Sequence, residues 1–220
     1  MNIRLPDKFF YNSDRRSKAY VVKTVDRKIL CIEGDINYEN LMYSLAYSIS
    51  GYNRCIYCGK KLNKQTRTLD HKYPRSWGGI SIPNNLVPCC RHCNTEKSSM
   101  TEKQYREWLT LPHDERADGF SKFMKINEEK LEHTFILPKE WMSTFDSSHV
   151  LDRIDFSRIK QSGNERIDLY YKLHGHYPRP IVVSSNNWIL KGIHILYHAK
   201  IHDIKVIPCV RLDNVIRRKK

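Results

Sequence analysis

Two apolar runs near the start of the chain predict a pair of strands, and a helix follows them. Residues 19–25 (AYVVKTV) and 29–32 (ILCI) are rich in β-branched side chains, which favour extended backbone. From Glu39 to Ile49 apolar residues recur every four positions, as on one face of a helix, and Gly51 is a stop signal. We therefore predict a strand–strand–helix unit here, to which the sequence assigns no function.

The last part of the chain alternates between helical and extended patterns. A helical period ends at Gly175, a Ser-Asn-Asn turn separates two short apolar runs, and a glycine precedes an apolar helical stretch. This order of elements is typical of a small α/β unit. The predicted elements are a helix over 164–174, strands over 179–183 and 188–190, a helix over 193–200 and a strand over 205–210.

Taken together, the patterns predict an α+β protein with four segments. Between the two units lies a cysteine-rich stretch that ends in a short helix over 101–109, followed by a stretch without a clear period. The predicted segments are an N-terminal extension of residues 1–50, a central domain of residues 51–112, a connector of residues 113–148 and a C-terminal domain of residues 149–220.

An excess of basic residues indicates an anionic partner. The 220 residues include 38 Lys+Arg against 24 Asp+Glu, a formal net charge of +14, within an otherwise ordinary globular composition. Half of the excess lies in residues 54–97, where nine basic residues stand against Asp70 and Glu96. No apolar run is long enough to span a bilayer, and the first ten residues lack the apolar core of a secretion signal. We expect an intracellular protein that binds nucleic acid rather than a membrane.

The cysteine spacing predicts a metal site rather than disulfides. Four of the seven cysteines form two Cys-x-x-Cys pairs, and four thiolates complete the tetrahedral shell that zinc prefers. Cys90 is preferred to Cys89 because it repeats the spacing of the first pair, and His92 is a less favoured substitute ligand. Because thiolates must stay reduced, we expect a cytoplasmic location, which is the host cytoplasm if a virus or mobile element encodes the chain. The predicted zinc ligands are Cys55, Cys58, Cys90 and Cys93.

An ordered set of motifs lies between and after the cysteine pairs. Leu-Asp-His-Lys-Tyr-Pro at 69–74 is followed by Asn-Asn-Leu-Val at 84–87 and by Cys-Arg-His-Cys-Asn-Thr-Glu-Lys at 90–97. Over residues 50–100 this order resembles the HNH endonucleases, specifically those with four zinc-binding cysteines around a ββα (His-metal) finger. The resemblance implies an enzyme that hydrolyses phosphodiester bonds, with structural Zn²⁺ and a catalytic Mg²⁺ or other divalent cation.

The same resemblance assigns roles to four residues. His71 is implied to be the general base that deprotonates the attacking water, while Asp70 and Asn94 supply oxygen ligands to the divalent cation. Asn85 is implied to brace the loop between the hairpin strands. Because neighbouring residues on a strand point to opposite faces, the strand must end or distort for Asp70 and His71 to share a site. A helix-capping role for Asn94 stays open as an alternative.

Double-stranded DNA is the expected substrate. A monomer with one such site nicks one strand, so cleavage of both strands requires a homodimer or two encounters. Binding should depend strongly on salt, since phosphate contacts dominate affinity. The candidate DNA contacts around the motifs are Lys72, Arg75, Arg91 and Lys97.

A second resemblance concerns the C-terminal part. Residues 150–212 are similar to ParB-like (sulfiredoxin-like) domains, in which an Asp-Gly-x-His-Arg loop opens a helix and binds phosphate. The loop at 191–195 reads Lys-Gly-Ile-His-Ile, without the acidic residue and the arginine, so the expected role is to help bind DNA. Gly192 and His194 are candidate phosphate-binding residues, because a helix N-terminus binds anions.

Three histidines recur at four-residue intervals in and after the same predicted helix: His194, His198 and His202. No Asp or Glu completes a metal-hydrolase motif with them, so we interpret them as a stripe facing phosphate or solvent. Two other functions stay open for the whole chain. One is a non-catalytic zinc protein that binds nucleic acid, and the other is a ParB-like protein that binds nucleotides or transfers phosphate.

Overall fold

A computed structural model describes residues 1–51, 53–132, 135–148, 150–151, 154–157 and 159–218. These residues form a mixed α+β structure with ten strands and six α-helices, which confirms the predicted fold class at that level. None of the described helices combines the length and the apolar character that crossing a membrane requires.

The predicted strands and helix of the N-terminal part are confirmed. An additional short strand precedes them and pairs with the first predicted strand, and the pairings among these three strands are antiparallel. The helix begins one residue before the predicted start because Asn37 caps it, its side chain accepting a hydrogen bond from the Asn40 N–H at 3.0 Å. The elements are β1 (Phe10–Asn12), β2 (Lys18–Lys23), β3 (Lys28–Glu33) and α1 (Tyr38–Ile49).

The end of the chain returns to this N-terminal sheet. Strand β10 (Val215–Arg218) pairs in parallel with β3, so the four-stranded sheet has the order β1-β2-β3-β10. One hydrophobic core contains Leu30 and Leu45 from the first segment together with Val182 and Leu212 from the last. The division into four segments stays a prediction, but the first and last segments share a sheet and a core.

The central part forms a hairpin followed directly by a helix. The two strands are antiparallel, and the helix begins at the residue after the second strand. A further helix packs Tyr105 and Trp108 against the cysteines and begins with a capping box made by Thr101 and Gln104. The elements are β4 (Arg67–His71), β5 (Leu86–Cys90), α2 (Arg91–Lys97) and α3 (Glu102–Thr110).

The segment predicted as a connector contains a long helix and a strand. The fully buried residues of helix α4 (Arg116–Leu131) are Gly119 and Asn127, while Phe120 and Phe123 are partly buried against the core around the cysteines. The Asn127 side chain accepts a hydrogen bond from the Gln104 amide at 2.8 Å, so a polar contact occupies one of the buried positions and weakens the hydrophobic period of the helix. Strand β6 (Met142–Asp146) pairs with a strand near the C-terminus.

The predicted C-terminal elements are also confirmed. The strands are β7 (Ile181–Ser184), β8 (Ile189–Lys191) and β9 (Val206–Leu212). With β6 they form a four-stranded sheet of order β6-β9-β7-β8, in which β7 and β9 are parallel. The chain passes from β7 to β9 through β8 and the helix α6 (Ile193–Ile201). Gly192 starts that helix with φ +107°, and a Cβ there would lie 2.6 Å from Ile181 Cγ2, so glycine is required. The first predicted helix of this part is α5 (Gln161–His174).

Candidate active site

The two Cys-x-x-Cys pairs converge in space. The four sulfur atoms lie within 4.8 Å of one another, and Sγ of Cys58 is 3.8 Å from Sγ of Cys90. A tetrahedral zinc ion with Zn–S bonds of about 2.3 Å has sulfur–sulfur edges of about 3.8 Å. The arrangement therefore fits one zinc ion with no open coordination position. We call Cys55, Cys58, Cys90 and Cys93 the four-cysteine cluster.

The structure separates Cys90 from its neighbour Cys89, as the spacing predicted. Cys90 caps α2, and its sulfur accepts a hydrogen bond from the Cys93 N–H at 3.5 Å. The Cys89 sulfur lies 3.1 Å from the Thr68 hydroxyl and is outside the cluster. His92 has an 81% exposed side chain near Glu96, so it does not replace a cysteine ligand.

The carboxylate of Asp70 is buried on the face of β4 that packs against α2. Its Oδ1 accepts a hydrogen bond from the Lys97 ammonium at 3.0 Å, and its Oδ2 accepts one from the Tyr57 hydroxyl at 2.5 Å. Lys97 is 0% exposed and also donates to the carbonyl of His71 at 2.8 Å. Burial raises the pKa of Asp70 and lowers the pKa of Lys97, against the attraction of the two charges.

His71 is the last residue of β4, and its side chain has a different set of partners. Its Nε2 lies 3.0 Å from the Ser81 Oγ, and the Tyr43 ring of α1 meets it edge-on with centroids 6.4 Å apart. Burial, assisted by the charges of Arg75 and Lys97, lowers the pKa of His71 to about 4. The imidazole is therefore neutral near pH 7 and has a lone pair that can accept a proton.

Asn94 lies on the same side of β4 as Asp70. Its amide nitrogen donates to the Thr68 Oγ1 at 3.4 Å, and Thr68 precedes Asp70 by two residues, hence shares its face. The carboxylate and amide oxygens are of the type that Mg²⁺ prefers, and a carboxylate has about four acceptor sites. The donor types therefore fit a divalent cation, although Lys97 already balances the Asp70 charge. The side chains of Asp70, His71 and Asn94 have different hydrogen-bond partners in the described structure, although Lys97 links the Asp70 carboxylate to the His71 carbonyl.

Asn85 is completely buried and holds the loop between the hairpin strands. Its side chain accepts a hydrogen bond from the Tyr73 N–H at 2.9 Å and donates to the carbonyls of Tyr73 and Ile80 at 3.1 and 2.9 Å. Its own carbonyl accepts from the Lys72 N–H at 2.9 Å. These bonds fix the chain immediately after His71.

Of the candidate DNA contacts, Arg75 and Arg91 are exposed and Lys72 is half-buried. The prediction that Lys97 contacts flanking phosphates is wrong for this structure, because its ammonium is buried in the ion pair with Asp70. Lys97 follows Asn94 by three residues, so both lie on the face of α2 that packs on β4. Its position supports the end of the strand rather than a DNA contact.

Sequence reasoning missed residues that surround His71 and Asp70. Glu39, in the first turn of α1, forms an ion pair with Lys191 and lies 3.4 Å from Arg75. Tyr57 lies between the first two cysteines, and nothing in the sequence indicates that its hydroxyl contacts Asp70. Ser81 and Tyr43 belong to no sequence motif. Each contacts His71 only because separate segments of the chain pack together.

The candidate phosphate-binding residues line a cavity of about 730 Å³ beside this network. Gly192 and His194 lie at the start of α6, and His194 Nδ1 is 2.8 Å from the Asn164 side-chain oxygen. The cavity is also lined by basic residues and one acid: Arg166, Arg179, Lys191 and Glu39. Its charge and the helix N-terminus are suited to an anion.

Comparison with known proteins finds a similarity for one part of the chain. Residues 55–109 match a family model described as HNH endonuclease. No curated protein and no solved structure matches the chain. The resemblance of the C-terminal part to ParB-like domains therefore stays a prediction. The match spans the four-cysteine cluster, the hairpin and both following helices, so the central part of the chain is similar to a zinc-binding HNH nuclease domain.

Proposed function

We propose that the protein is a metal-dependent endonuclease that hydrolyses phosphodiester bonds in double-stranded DNA and nicks one strand per active site. One observation carries this proposal. Strand β4 ends in Asp70 and His71, while α2 is capped by Cys90 and presents Asn94 to the same strand. The family match over residues 55–109 supports a nuclease or nucleic-acid role for this unit.

His71 is the proposed general base. Its imidazole is neutral, oriented by Ser81, and followed by a loop that Asn85 holds in place. Proton removal from an attacking water requires a base with a free lone pair close to the scissile phosphate. Lys97 is a positioning residue, since it ties Asp70 to the carbonyl of His71.

Asp70 and Asn94 are the proposed ligands of a divalent cation. Such an ion, when bound, would neutralise charge on the phosphate and on the leaving oxygen. Zinc has a separate place in the four-cysteine cluster, where four thiolates leave no position for water. The two metal roles are therefore assigned to different residues.

Basic residues next to His71 supply a path for the DNA backbone. Arg75 is exposed beside the active site, and Lys191 is joined to it through Glu39. Lys191 also lines the C-terminal cavity, where Gly192 and His194 are the proposed phosphate-binding residues. In this arrangement the C-terminal part helps to hold the DNA while the central part cuts it.

A non-catalytic role in nucleic-acid binding is the second candidate. This role is favoured because both carboxylate oxygens of Asp70, the proposed cation ligand, already accept hydrogen bonds from Lys97 and Tyr57. Nucleotide binding is the third, supported by the basic cavity at the start of α6.

The test is nicking of supercoiled plasmid by the purified chain in the presence of Mg²⁺ or Mn²⁺. We expect the wild type to produce open circles and His71→Gln to be slower by about 10²- to 10⁴-fold, the usual contribution of a general base. His113→Gln is the matched control, because His113 is exposed and lies outside the hairpin.

The outcomes separate the candidates. Equal nicking by wild type and a folded His71→Gln variant would show that His71 is not the base. Plasmid binding in a gel-shift assay without nicking in either metal would favour the non-catalytic role. Tight binding of CTP or ATP, measured by calorimetry, would favour the nucleotide-binding role.

A further inference from the structure

A second cluster of metal-ligating side chains lies in the C-terminal part, distant in sequence from the cysteines. Asp168 comes from α5, His198 comes from α6, and His202 directly follows α6 as its C-terminal cap. Oδ1 of Asp168 is 3.6 Å from Nε2 of His198 and 3.4 Å from Nε2 of His202. We call these three residues the Asp–His cluster.

These distances fit a shared ion better than direct hydrogen bonds. Hydrogen bonds between nitrogen and oxygen have typical lengths of about 2.7–3.2 Å, which is shorter than both separations. A tetrahedral zinc ion with bonds of about 2.0–2.1 Å to nitrogen and oxygen has edges of about 3.3 Å. All three ligand atoms lie within 4.8 Å of one another, as do the sulfur atoms of the four-cysteine cluster. We propose that the Asp–His cluster binds one divalent transition-metal ion of the Zn²⁺ class.

The surroundings of His198 prepare it for this role. The residue is 2% exposed, and its Nδ1 is 3.2 Å from the Tyr177 hydroxyl, so its Nε2 is the nitrogen that faces Asp168. The rings of His198 and His202 have centroids 4.3 Å apart. A hydrogen bond to the far nitrogen is the usual support of a metal-binding imidazole, because it fixes the ring.

The other carboxylate oxygen of Asp168 already has a cationic partner. Lys172 contacts Oδ2 of Asp168 at 2.7 Å, while Oδ1 faces the two histidines. The side chain of His202 is 44% exposed, so an ion can enter from solvent. Three protein ligands leave a fourth position for water.

The structure also corrects the interpretation of the three histidines as one exposed stripe. His198 is buried, and His194 turns instead to Asn164 of α5. The acidic ligand that the pattern lacked is supplied by α5, so the helix alone cannot reveal the site. An ion here would join α5 to α6, the two helices that line the basic cavity.

The test is the metal content of the purified 220-residue chain. After exposure to Zn²⁺ and removal of unbound metal, we expect two zinc equivalents per chain in the wild type. His202→Ala and Asp168→Ala should each retain one equivalent, held by the cysteines. His174→Ala, which removes an exposed histidine of α5 outside the cluster, should retain two.

Cobalt substitution distinguishes the two sites by a readout other than activity. Co²⁺ in the four-cysteine cluster gives thiolate-to-metal charge-transfer absorption, whereas Co²⁺ in the Asp–His cluster adds ligand-field bands without it. We expect His202→Ala to lose only the second set, with an unchanged circular dichroism spectrum. A single metal equivalent in the wild type, or two equivalents in a folded His202→Ala variant, would overturn the proposal.

Discussion

The four-cysteine cluster and the Asp–His cluster show two ways of building a metal site. The first uses two short repeats at the ends of one continuous motif, and three of its cysteines, Cys55, Cys90 and Cys93, belong to the core beneath α3. The second joins side chains of two helices at the edge of a separate core, in which Leu196 and Ile207 are completely buried. The first is thus part of what folds its region, and the second is added to a region with its own apolar core.

This difference has an energetic consequence. The core around the cysteines fully buries fewer large apolar side chains than the C-terminal core does, so without its ion this region should lose much of its stability. The C-terminal sheet and helices bury a full set of aliphatic residues without any metal. Four substitutions, ordered from the largest expected effect to the smallest, test this contrast and the support of the active site.

Cys90→Ser should have the largest effect. It removes one of four thiolates and the cap of α2, and structural zinc in small domains contributes about 10–16 kcal/mol of apparent binding energy. We expect loss of the cysteine-bound zinc and unfolding of the central part, measured by metal analysis and thermal denaturation. Cys89→Ser, one position away, should retain the zinc. Stoichiometric zinc and an unchanged melting temperature in Cys90→Ser would refute the structural role.

Lys97→Met should have the next largest effect. It leaves the buried Asp70 carboxylate without its cation, and breaking a buried ion pair costs about 3–5 kcal/mol. Urea denaturation should show this loss in the free energy of unfolding. The double variant Lys97→Met with Asp70→Asn should be less destabilised than the single variant, since no unpaired charge remains. A cost below about 1 kcal/mol for Lys97→Met would mean that the pair is not buried in solution.

Asn85→Ala should destabilise the loop after His71. It removes the partner of the Tyr73 N–H and of the Ile80 carbonyl, and each unsatisfied buried group costs about 1–3 kcal/mol. Hydrogen exchange of the Tyr73 amide should accelerate, and nicking should fall with it. Asn84→Ala is the control, because the bonds of Asn84 are exposed. If the Tyr73 amide exchanges at the same rate in Asn85→Ala and in Asn84→Ala, Asn85 does not hold the loop in place.

His202→Ala should have the smallest effect on stability when no metal is added. The side chain is 44% exposed, and exposed substitutions usually change the free energy of unfolding by less than about 0.5 kcal/mol. Thermal denaturation of wild type and variant without added metal should therefore agree. A loss as large as that of Cys90→Ser would show that both metal sites serve folding and would remove the contrast between them.

Local patterns predicted much of this fold because the relevant signals lie within short stretches. The apolar period of α1, the strand pairs and the glycine before α6 each depend on residues close together in the chain. Helix α4 was missed because its fully buried residues, Gly119 and Asn127, weaken the apolar period to which Phe120 and Phe123 contribute. Strand β10 was missed because its pairing with β3 joins residues nearly two hundred positions apart.

In the candidate site, too, the sequence predicted the local features and missed those that depend on packing. The spacing of the cysteines and the order of Asp70, His71 and Asn94 were readable because a hairpin and a helix place near neighbours together. The burial of Lys97 could not be predicted from the sequence. Because its ammonium is buried, Lys97 pairs with Asp70 and is not available to contact DNA. The contacts of Tyr43, Glu39 and Ser81 with the His71 surroundings also depend on packing between segments.

The sequence by itself determined which residues form the zinc-binding motif, the elements around it and the positive charge of the whole chain. Only the tertiary structure decided that the last strand completes the first sheet, that Asp168 joins His198 and His202, and that Glu39 connects Arg75 to Lys191. The physical reason is that spacing along the backbone controls local geometry, whereas contacts between distant segments depend on how the cores pack.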